Sequence, residues 1–277
     1  MRRLGIALAF LLLAGCGPRP APPSLTVGAG TDAESQILAS LYAGALRGAG
    51  AAVLVQPVAD PVVELESGAL TVVPGFTGRL LGVFAPDATA RSDRQVYRAL
   101  IGALPEGIGA GDYATAAEDK PALAVTKDTA AAWGGDDLRG VARHCDRLTV
   151  GGVAGVHAPT TVGRCQLPTV HEFPDDTALF AALRARRVTA AWTSTADPAV
   201  PRDLVVLADG TPSLVRAENV VSLYRRNALT EPQVLALNQV AGALETAALV
   251  DMRRQVAGGA GPQPVADAWL AEHPLWH

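Results

Sequence analysis

Short apolar segments alternate with helix-like segments along this chain, and that alternation constrains its fold more than any other feature. Residues 25–28 are predicted to form a strand that ends in small residues, and apolar side chains then recur at helical spacing from Ile37 to Leu46. Thr31 with Glu34 predicts a capping box at the start of this helix. Strands that alternate with helices are typical of α/β units with mostly parallel sheets.

The same patterns predict the other elements. Further strands are predicted at residues 52–55, 70–73, 122–125, 148–150, 188–192, 204–207 and 220–224. Helices are predicted at residues 79–84, 93–103, 176–186 and 230–244. A turn is predicted at residues 74–78, and Ser92 with Gln95 predicts a second capping box.

The first sixteen residues have the layout of a bacterial lipoprotein signal rather than of a folded element. Arg2 and Arg3 precede a short apolar run, residues 4–13, which ends at Leu13-Ala14-Gly15-Cys16. A transmembrane helix needs about 20 apolar residues, so a cleaved signal peptide at residues 1–15 is favoured. Cys16 is then the lipid anchor, the Pro-rich residues 16–24 are a tether, and the chain is predicted to be extracytoplasmic. The alternative is an ordinary secretory signal with a chance cysteine.

Size and charge limit the remaining classes. The roughly 250 residues after the tether are at the upper limit of one core, so two domains are expected. The chain has 23 basic and 27 acidic residues, and removal of Arg2 and Arg3 leaves 21 against 27, a net charge near −6. Binding to nucleic acid through a basic patch is therefore not expected.

Two cysteines remain besides Cys16. In an oxidising compartment Cys145 and Cys165 are predicted to form a disulfide. The alternative is a zinc site with His144, His157 and His171, but these residues lack the paired close spacings of such sites, so no metal is predicted.

No sequence motif indicates an enzyme. The chain has no G-x-S-x-G elbow, no H-E-x-x-H and no phosphate-binding loop, and no cofactor is predicted. The acidic pairs Asp136-Asp137 and Asp175-Asp176 lie at predicted turns or helix starts, where capping explains them.

Several segments, taken in order, resemble the substrate-binding lipoproteins of osmoprotectant ABC importers, which bind glycine betaine, choline and carnitine. The matching segments are GAGTDAESQILASLY at 28–42, PGFTG at 74–78, ALAVTKDT at 122–129, ST at 194–195, DLVVL at 203–207 and AENVV at 217–221. Their order along nearly the whole chain carries the resemblance, because no single segment is decisive.

The resemblance implies the two-lobed periplasmic-binding-protein fold of type II, in which each lobe is a mainly parallel sheet flanked by helices and the chain crosses twice between lobes. Lobe I is expected at residues 25–119 and 212–277, and lobe II at 120–211. It further implies a monomer that holds a small solute in the cleft and works with the permease and ATPase subunits of an importer.

A quaternary ammonium has no N–H group, so its site depends on the faces of aromatic rings. Phe76 stands where the resembling family has a tyrosine, whereas Pro121, Thr193 and Glu218 replace other expected rings. Trp192 supplies a second ring if the alignment is shifted by one residue; the alternative is that it belongs to the core.

Polar groups complete the predicted ligand site. Glu218 is expected to favour a ligand with N–H or hydroxyl groups over betaine, unless it lies in solvent outside the cleft. The other polar candidates are short side chains near strand ends or helix starts, each with a cap or turn as the alternative: Thr31, Asp32, Thr77, His157, Thr160, Ser194, Thr195 and Asn219.

Two other functions remain open at this point. The same fold could bind a different polar or hydroxylated solute, because most of the expected aromatic rings are absent. Alternatively, the chain could be an exported sensing or interaction lipoprotein that has no role in transport.

Overall fold

The computed structural model describes residues 24–156 and 158–275. The predicted signal peptide, the lipid-anchor residue Cys16, the tether up to residue 23 and His157 lie outside the described residues.

Twelve strands and ten helices make up the described chain. The strands are β1 (Leu25–Ala29), β2 (Val53–Pro57), β3 (Val72–Phe76), β4 (Ile108–Ala110), β5 (Pro121–Thr126), β6 (Val150–Val153), β7 (Thr161–Val162), β8 (Cys165–Gln166), β9 (His171–Phe173), β10 (Ala190–Ser194), β11 (Leu204–Val206) and β12 (Val220–Arg225). The helices are α1 (Ala33–Gly48), α2 (Pro61–Ser67), α3 (Thr77–Phe84), α4 (Asp93–Ala103), α5 (Lys127–Trp133), α6 (Arg139–Arg143), α7 (Asp176–Arg184), α8 (Glu231–Ala243), α9 (Thr246–Ala257) and α10 (Pro262–Glu272). A short 3₁₀ turn covers Cys145–Arg147.

The first five-stranded sheet has the order β2-β1-β3-β12-β4. On one face, α1, α8, α9 and α10 bury an apolar cluster that includes Leu41, Tyr42 and Trp269. On the other face, α2, α3 and α4 bury a second cluster, which includes Leu81 and Leu100. We call this sheet and its helices lobe I.

The second five-stranded sheet has the order β11-β5-β10-β6-β9. Leu138 and Val141, from the segment around α6, pack on one face with Leu123 and Val150 of the strands. On the opposite face α7 packs through Leu179, Phe180 and Leu183. We call this sheet and its helices lobe II. The α/β class with two helix-flanked sheets, predicted from the sequence, is confirmed.

Strand pairing within the two sheets is more mixed than predicted. In the described chain each sheet has two parallel and two antiparallel pairings. The physical reason is the path of the chain. β3 ends at the inter-lobe edge with Phe76, opposite Val220, where β12 begins after crossing from lobe II. β10 likewise ends opposite the start of β5, which crosses from lobe I. A strand that enters a sheet from the other lobe must therefore be antiparallel to the strands that end at this edge.

Two segments, residues 111–120 and 207–219, connect the lobes. Glu118 and Asn219 form an antiparallel bridge between them, and the Asp119 amide donates to the Glu218 carbonyl at 2.9 Å. The backbone of one crossing therefore supports the other. The lobe boundaries at residues 119/120 and 211/212 stay predictions.

Three local predictions were wrong. Asp32, not Thr31, caps α1, because its carboxylate accepts from the Ser35 amide at 2.8 Å. Residues 74–78 are not a turn: β3 runs to Phe76 and α3 begins directly at Thr77. Ser92 precedes α4 without a side-chain capping hydrogen bond.

No single helix in residues 24–156 and 158–275 is long and apolar enough to cross a membrane. The helices α8 and α9 meet that requirement only as a pair, and the pair is bent by 93°.

In lobe II a disulfide joins Cys145 and Cys165, 20 residues apart in sequence. It ties the 3₁₀ turn before β6 to the small β7-β8 hairpin. This pairing is the one expected from the sequence.

We expect the double variant C145S/C165S to lose about 2–4 kcal/mol of unfolding free energy, because closing a loop of this length lowers the entropy of the unfolded chain. Urea denaturation followed by circular dichroism measures the difference. Reduction of the wild type should cause a similar loss and leave the double variant unchanged. An equal midpoint for the variant and the oxidised wild type would contradict the expectation.

Candidate functional site

A cavity of about 320 Å³ lies between the lobes, beside the crossing segments. Its lobe I wall consists of charged side chains: Glu34, Arg79, Asp119 and Arg253. Its lobe II wall combines apolar, hydroxyl-bearing and acidic residues: Pro121, Gly152, Val153, Val156, Ala158, Pro159, Asp176, Trp192, Thr193, Ser194 and Asp197. A cavity of this size, walled by both lobes, is suited to a small solute.

Four charged side chains on the lobe I wall form a closed network. Arg79 donates to Glu34 at 2.9 Å and to Asp119 at 2.7 Å. Arg253 reaches the other oxygens of the same carboxylates, at 3.0 Å to Glu34 and 3.1 Å to Asp119. Each carboxylate is thus shared by two arginines, and the network joins α1, α3, α9 and the first crossing segment.

Asp119 also contacts lobe II. Its carboxylate accepts from the Ala196 amide at 3.3 Å, just beyond the end of β10. Burial opposes ionisation of Asp119, but Arg253, a hydrogen bond with Ser194 and Arg79 outweigh it, so the pKa of Asp119 lies below its ordinary value. Asp119 is therefore a charged carboxylate at the junction of cavity, crossing and both lobes.

Phe76 does not reach the cavity wall. Its side chain belongs to the lobe I core and is 3% exposed, because β3 continues to this residue instead of turning toward solvent. The guanidinium of Arg79 covers the Phe76 ring, with Cζ 4.4 Å from the ring centroid. The protein's own cation therefore occupies the ring face that was expected to meet a ligand.

Glu218 is also placed away from the cavity lining. Its carboxylate accepts the Arg79 backbone amide at 2.8 Å, so it caps the start of α3, where Phe76 has no side-chain cap to offer. A Cβ on Gly78 would lie 2.6 Å from the Glu218 carboxylate, so glycine is needed for this approach. The Glu218 carboxylate is thus bound by the helix amides and lies off the cavity lining, and its contact with a ligand stays a prediction.

Two glutamates, the buried Glu218 and the partly buried Glu34, have raised pKa values. Burial raises the pKa of Glu218 to about 7, against the effect of the Arg79 and Gly78 amides and of two arginines. Burial and the Asp119 carboxylate raise the pKa of Glu34 to about 7, against the attraction of Arg253 and Arg79. Both groups therefore exchange protons near neutral pH.

On lobe II, the structure places two of the predicted residues, Trp192 and Ser194, on the cavity wall. Trp192 is 6% exposed, and its indole N–H is buried without a partner. Its neighbour Thr193 donates its hydroxyl to Asp197 at 2.6 Å. Trp192 thus serves both as a core residue of lobe II and as part of the wall, which combines the two alternatives drawn from the sequence.

The other predicted residues lie off the cavity lining. Thr77, Asn219 and Thr195 support the crossing segments. The Thr77 hydroxyl accepts from the Asn219 amide at 3.1 Å, and the Thr195 hydroxyl accepts from the Lys120 amide at 2.9 Å. Thr31 and Asp32 are exposed at the start of α1.

Thr160 is exposed beside the β7-β8 hairpin, where its carbonyl accepts from the Leu167 amide. His157 is outside the described residues, although its neighbours Val156 and Ala158 line the cavity.

Sequence reasoning missed the charged members of the wall. Glu34 was assigned to a capping box, and Asp176 was explained as part of a helix start, although Asp175 alone provides the α7 cap at 2.8 Å. Arg79, Arg253 and Asp197 carry no motif that would have identified them. Within residues 24–156 and 158–275 there is no cluster of three or more His, Cys, Asp or Glu side chains suited to a metal ion.

Comparison with known protein families identifies the chain. The model of OpuAC, the substrate-binding domain of ABC-type glycine betaine transport systems, matches residues 23–158 and 166–272. Because this match covers most of the sequence, the chain belongs to that family. It is a non-enzymatic substrate-binding protein of an ABC importer and works outside the cytoplasm.

Solved structures share its fold. One described as a glycine betaine/carnitine/choline ABC transporter has a TM-score of 0.73 at 16% identity, with 91% of this chain and 99% of the other covered. Ligand-free YehZ from Escherichia coli has a TM-score of 0.71 at 20% identity, with 92% of this chain and all of the other covered. A choline-binding protein in complex with choline has a TM-score of 0.55 at 18% identity, with coverage of 91% and 89%. The two-lobed periplasmic-binding-protein fold is therefore confirmed. A comparison of the sequence with curated proteins finds no match.

The raised pKa values of Glu34 and Glu218 predict how stability changes with pH. Their pKa values rise from the ordinary 4.5 to about 7 on folding, so the folded state holds more protons than the unfolded state between these values. Unfolding free energy should therefore fall as pH rises from about 5 to 7.5, by about 1–3 kcal/mol for each glutamate.

We expect E218Q to lose roughly half of this decline, because the amide cannot ionise. Urea denaturation at several pH values measures it, and E66Q, at an exposed glutamate, is the matched control. An E218Q profile as steep as that of E66Q would show that Glu218 is ionised throughout this range.

Proposed function

We propose that this chain is a lipid-anchored receptor on the extracytoplasmic face of a bacterial membrane. It captures a small osmoprotectant-like solute and delivers it, as a monomer, to the permease and ATPase subunits of an ABC importer. The observation that carries this proposal is the cavity between the lobes, walled by both and adjacent to the two crossing segments.

The position of the cavity supports capture by closure of the lobes. A solute that contacts Arg79 on lobe I and Trp192 on lobe II favours the arrangement in which these walls are close. The crossings provide the pivot, because they are the covalent connections between the two sheets, and rotation about a few such residues is the usual form of hinge closure. A permease can then distinguish the loaded from the empty receptor by its shape.

The osmoprotectant class is supported by the family and by the solutes named for the structural relatives: glycine betaine, carnitine and choline. In this cavity the Trp192 ring is the aromatic surface available to a cationic group. Arg79 and Arg253 are donors for a carboxylate or hydroxyl end.

One observation favours a second candidate, a different polar solute held in the same cavity. Arg79 covers the face of Phe76, and Trp192 is the one aromatic residue among the described residues that line the cavity. Fewer ring faces mean a weaker site for a quaternary ammonium.

Solute capture is tested by thermal unfolding of the mature protein with betaine, choline, carnitine, polyamines, amino acids or sugars. A solute that binds only the folded state raises the melting temperature. We expect at least one of these solutes to do so and W192A to abolish the shift. W133A is the matched control, because Trp133 stacks on His144 in lobe II outside the described cavity wall. No shift with any solute would contradict capture, and an undiminished shift in W192A would place the site elsewhere.

The lipid anchor is tested separately by mass spectrometry of the purified protein. We expect its first residue to be Cys16, with acyl chains attached, and we expect C16S to carry none. An N-terminus at another residue, or an unmodified Cys16, would refute the anchor while leaving solute capture open.

A further inference from the structure

The cavity lining has more acidic than basic side chains. Among its described lining residues, the arginines Arg79 and Arg253 face four carboxylates. The network on lobe I uses both arginines to compensate Glu34 and Asp119. The two carboxylates on lobe II have no basic side chain within 4 Å in the described part of the chain.

Those two carboxylates are Asp176 and Asp197. Asp197 accepts from the Thr193 hydroxyl at 2.6 Å and from the Ala199 amide at 2.8 Å, both neutral donors that leave its charge in place. Asp176 begins α7. Burial, Asp197 and Asp175 raise its pKa and Arg253 lowers it, and each of the two aspartates acts more strongly than Arg253, so negative neighbours dominate its surroundings. A cation in the cavity would relieve this repulsion.

Trp192 provides an independent observation beside these carboxylates. It is 6% exposed and lines the cavity, and its buried indole N–H has no acceptor. Because this N–H lies buried beneath the surface of the wall, Trp192 offers a solute its ring rather than a hydrogen bond. A cationic group in the cavity would contact this ring together with the carboxylates of Asp176 and Asp197.

The type of cation follows from what the walls offer. A quaternary ammonium has no hydrogen to donate and gains most from several ring faces. Here Arg79 already covers Phe76, which leaves Trp192 as the aromatic part of the described wall. An ammonium or guanidinium that carries N–H groups can instead donate charge-assisted hydrogen bonds to carboxylates, which are about twice as strong as neutral ones.

We infer, on the basis of the proposed function, that the cleft selects a solute whose cationic group carries N–H donors, a protonated amine or a guanidinium, and that Asp176 and Asp197 accept those donors. Selection is against full methylation of the nitrogen, which removes the donors and keeps the charge.

Two ligand series test this selection directly. Glycine, sarcosine, dimethylglycine and glycine betaine keep the carboxylate and the positive charge while the number of N–H groups falls from three to none. Ethanolamine and choline form the matching pair with a hydroxyl in place of the carboxylate. Calorimetric titration of the mature protein gives each Kd, and putrescine and arginine extend the set to longer cations.

We expect affinity to fall with each added methyl group, by at least tenfold between the ends of a series. D176N and D197N should each weaken binding of the best N–H-bearing member of the set by at least tenfold and flatten the dependence on methylation. D128N is the control, because Asp128 pairs with Arg186 on the exposed surface of lobe II, and it should bind like the wild type. Unchanged melting temperatures of the ligand-free variants show that all of them are folded.

The other possible outcomes of these titrations each contradict part of the inference. If glycine betaine or choline binds as tightly as its N–H-bearing counterpart, the inference is wrong and the proposed osmoprotectant receptor stands. If no solute of the set binds but another solute raises the melting temperature in the thermal screen, the inference is wrong and solute capture stands; if none does in either test, both fail. If methylation weakens binding but D176N and D197N bind like D128N, the two carboxylates are not the acceptors.

Discussion

The network of Arg79, Arg253, Glu34 and Asp119 is the interaction on which the rest of the cleft depends. Asp119 must lie at the crossing, where it is 3% exposed, and an unpaired carboxylate there would be strongly destabilising. Two arginines from different helices compensate it, and Glu34 compensates them in turn. Because every member has two partners, removal of one leaves each of its neighbours with a single counterion.

This network also decides what lobe I offers a ligand. It holds the Arg79 guanidinium over Phe76, and the Arg79 amide at the start of α3 donates to Glu218. Phe76 and Glu218, which the sequence predicts to meet the ligand, thus make contacts within lobe I. The charges of the lobe I wall are paired with one another, whereas Asp176 and Asp197 on lobe II form no ion pair within the described chain.

Much of the fold could be predicted, because apolar periodicity reports directly which face of an element is buried. β1 begins at the predicted residue, and α4 has both predicted ends. The predicted helix through residue 244 instead ends at Ala243, and α9 and α10 follow it unpredicted. The antiparallel pairings were missed because the direction of a strand depends on where the chain enters a sheet, which no local pattern records.

The sequence by itself determined the alternation of strands and helices, the family, and the cysteines that pair. The strands and helices follow from local residue types, and the family follows from the order of matching segments along the whole chain. Only the tertiary structure decided the composition of the cleft. Glu34 and Arg253 are 219 residues apart in sequence and form an ion pair at 3.0 Å. A single charged side chain belongs to no periodic pattern, so the sequence does not predict such a pair. The path of the chain through the crossings determines which charged side chains lie close together. A buried charge is stable only where the fold places an opposite charge beside it.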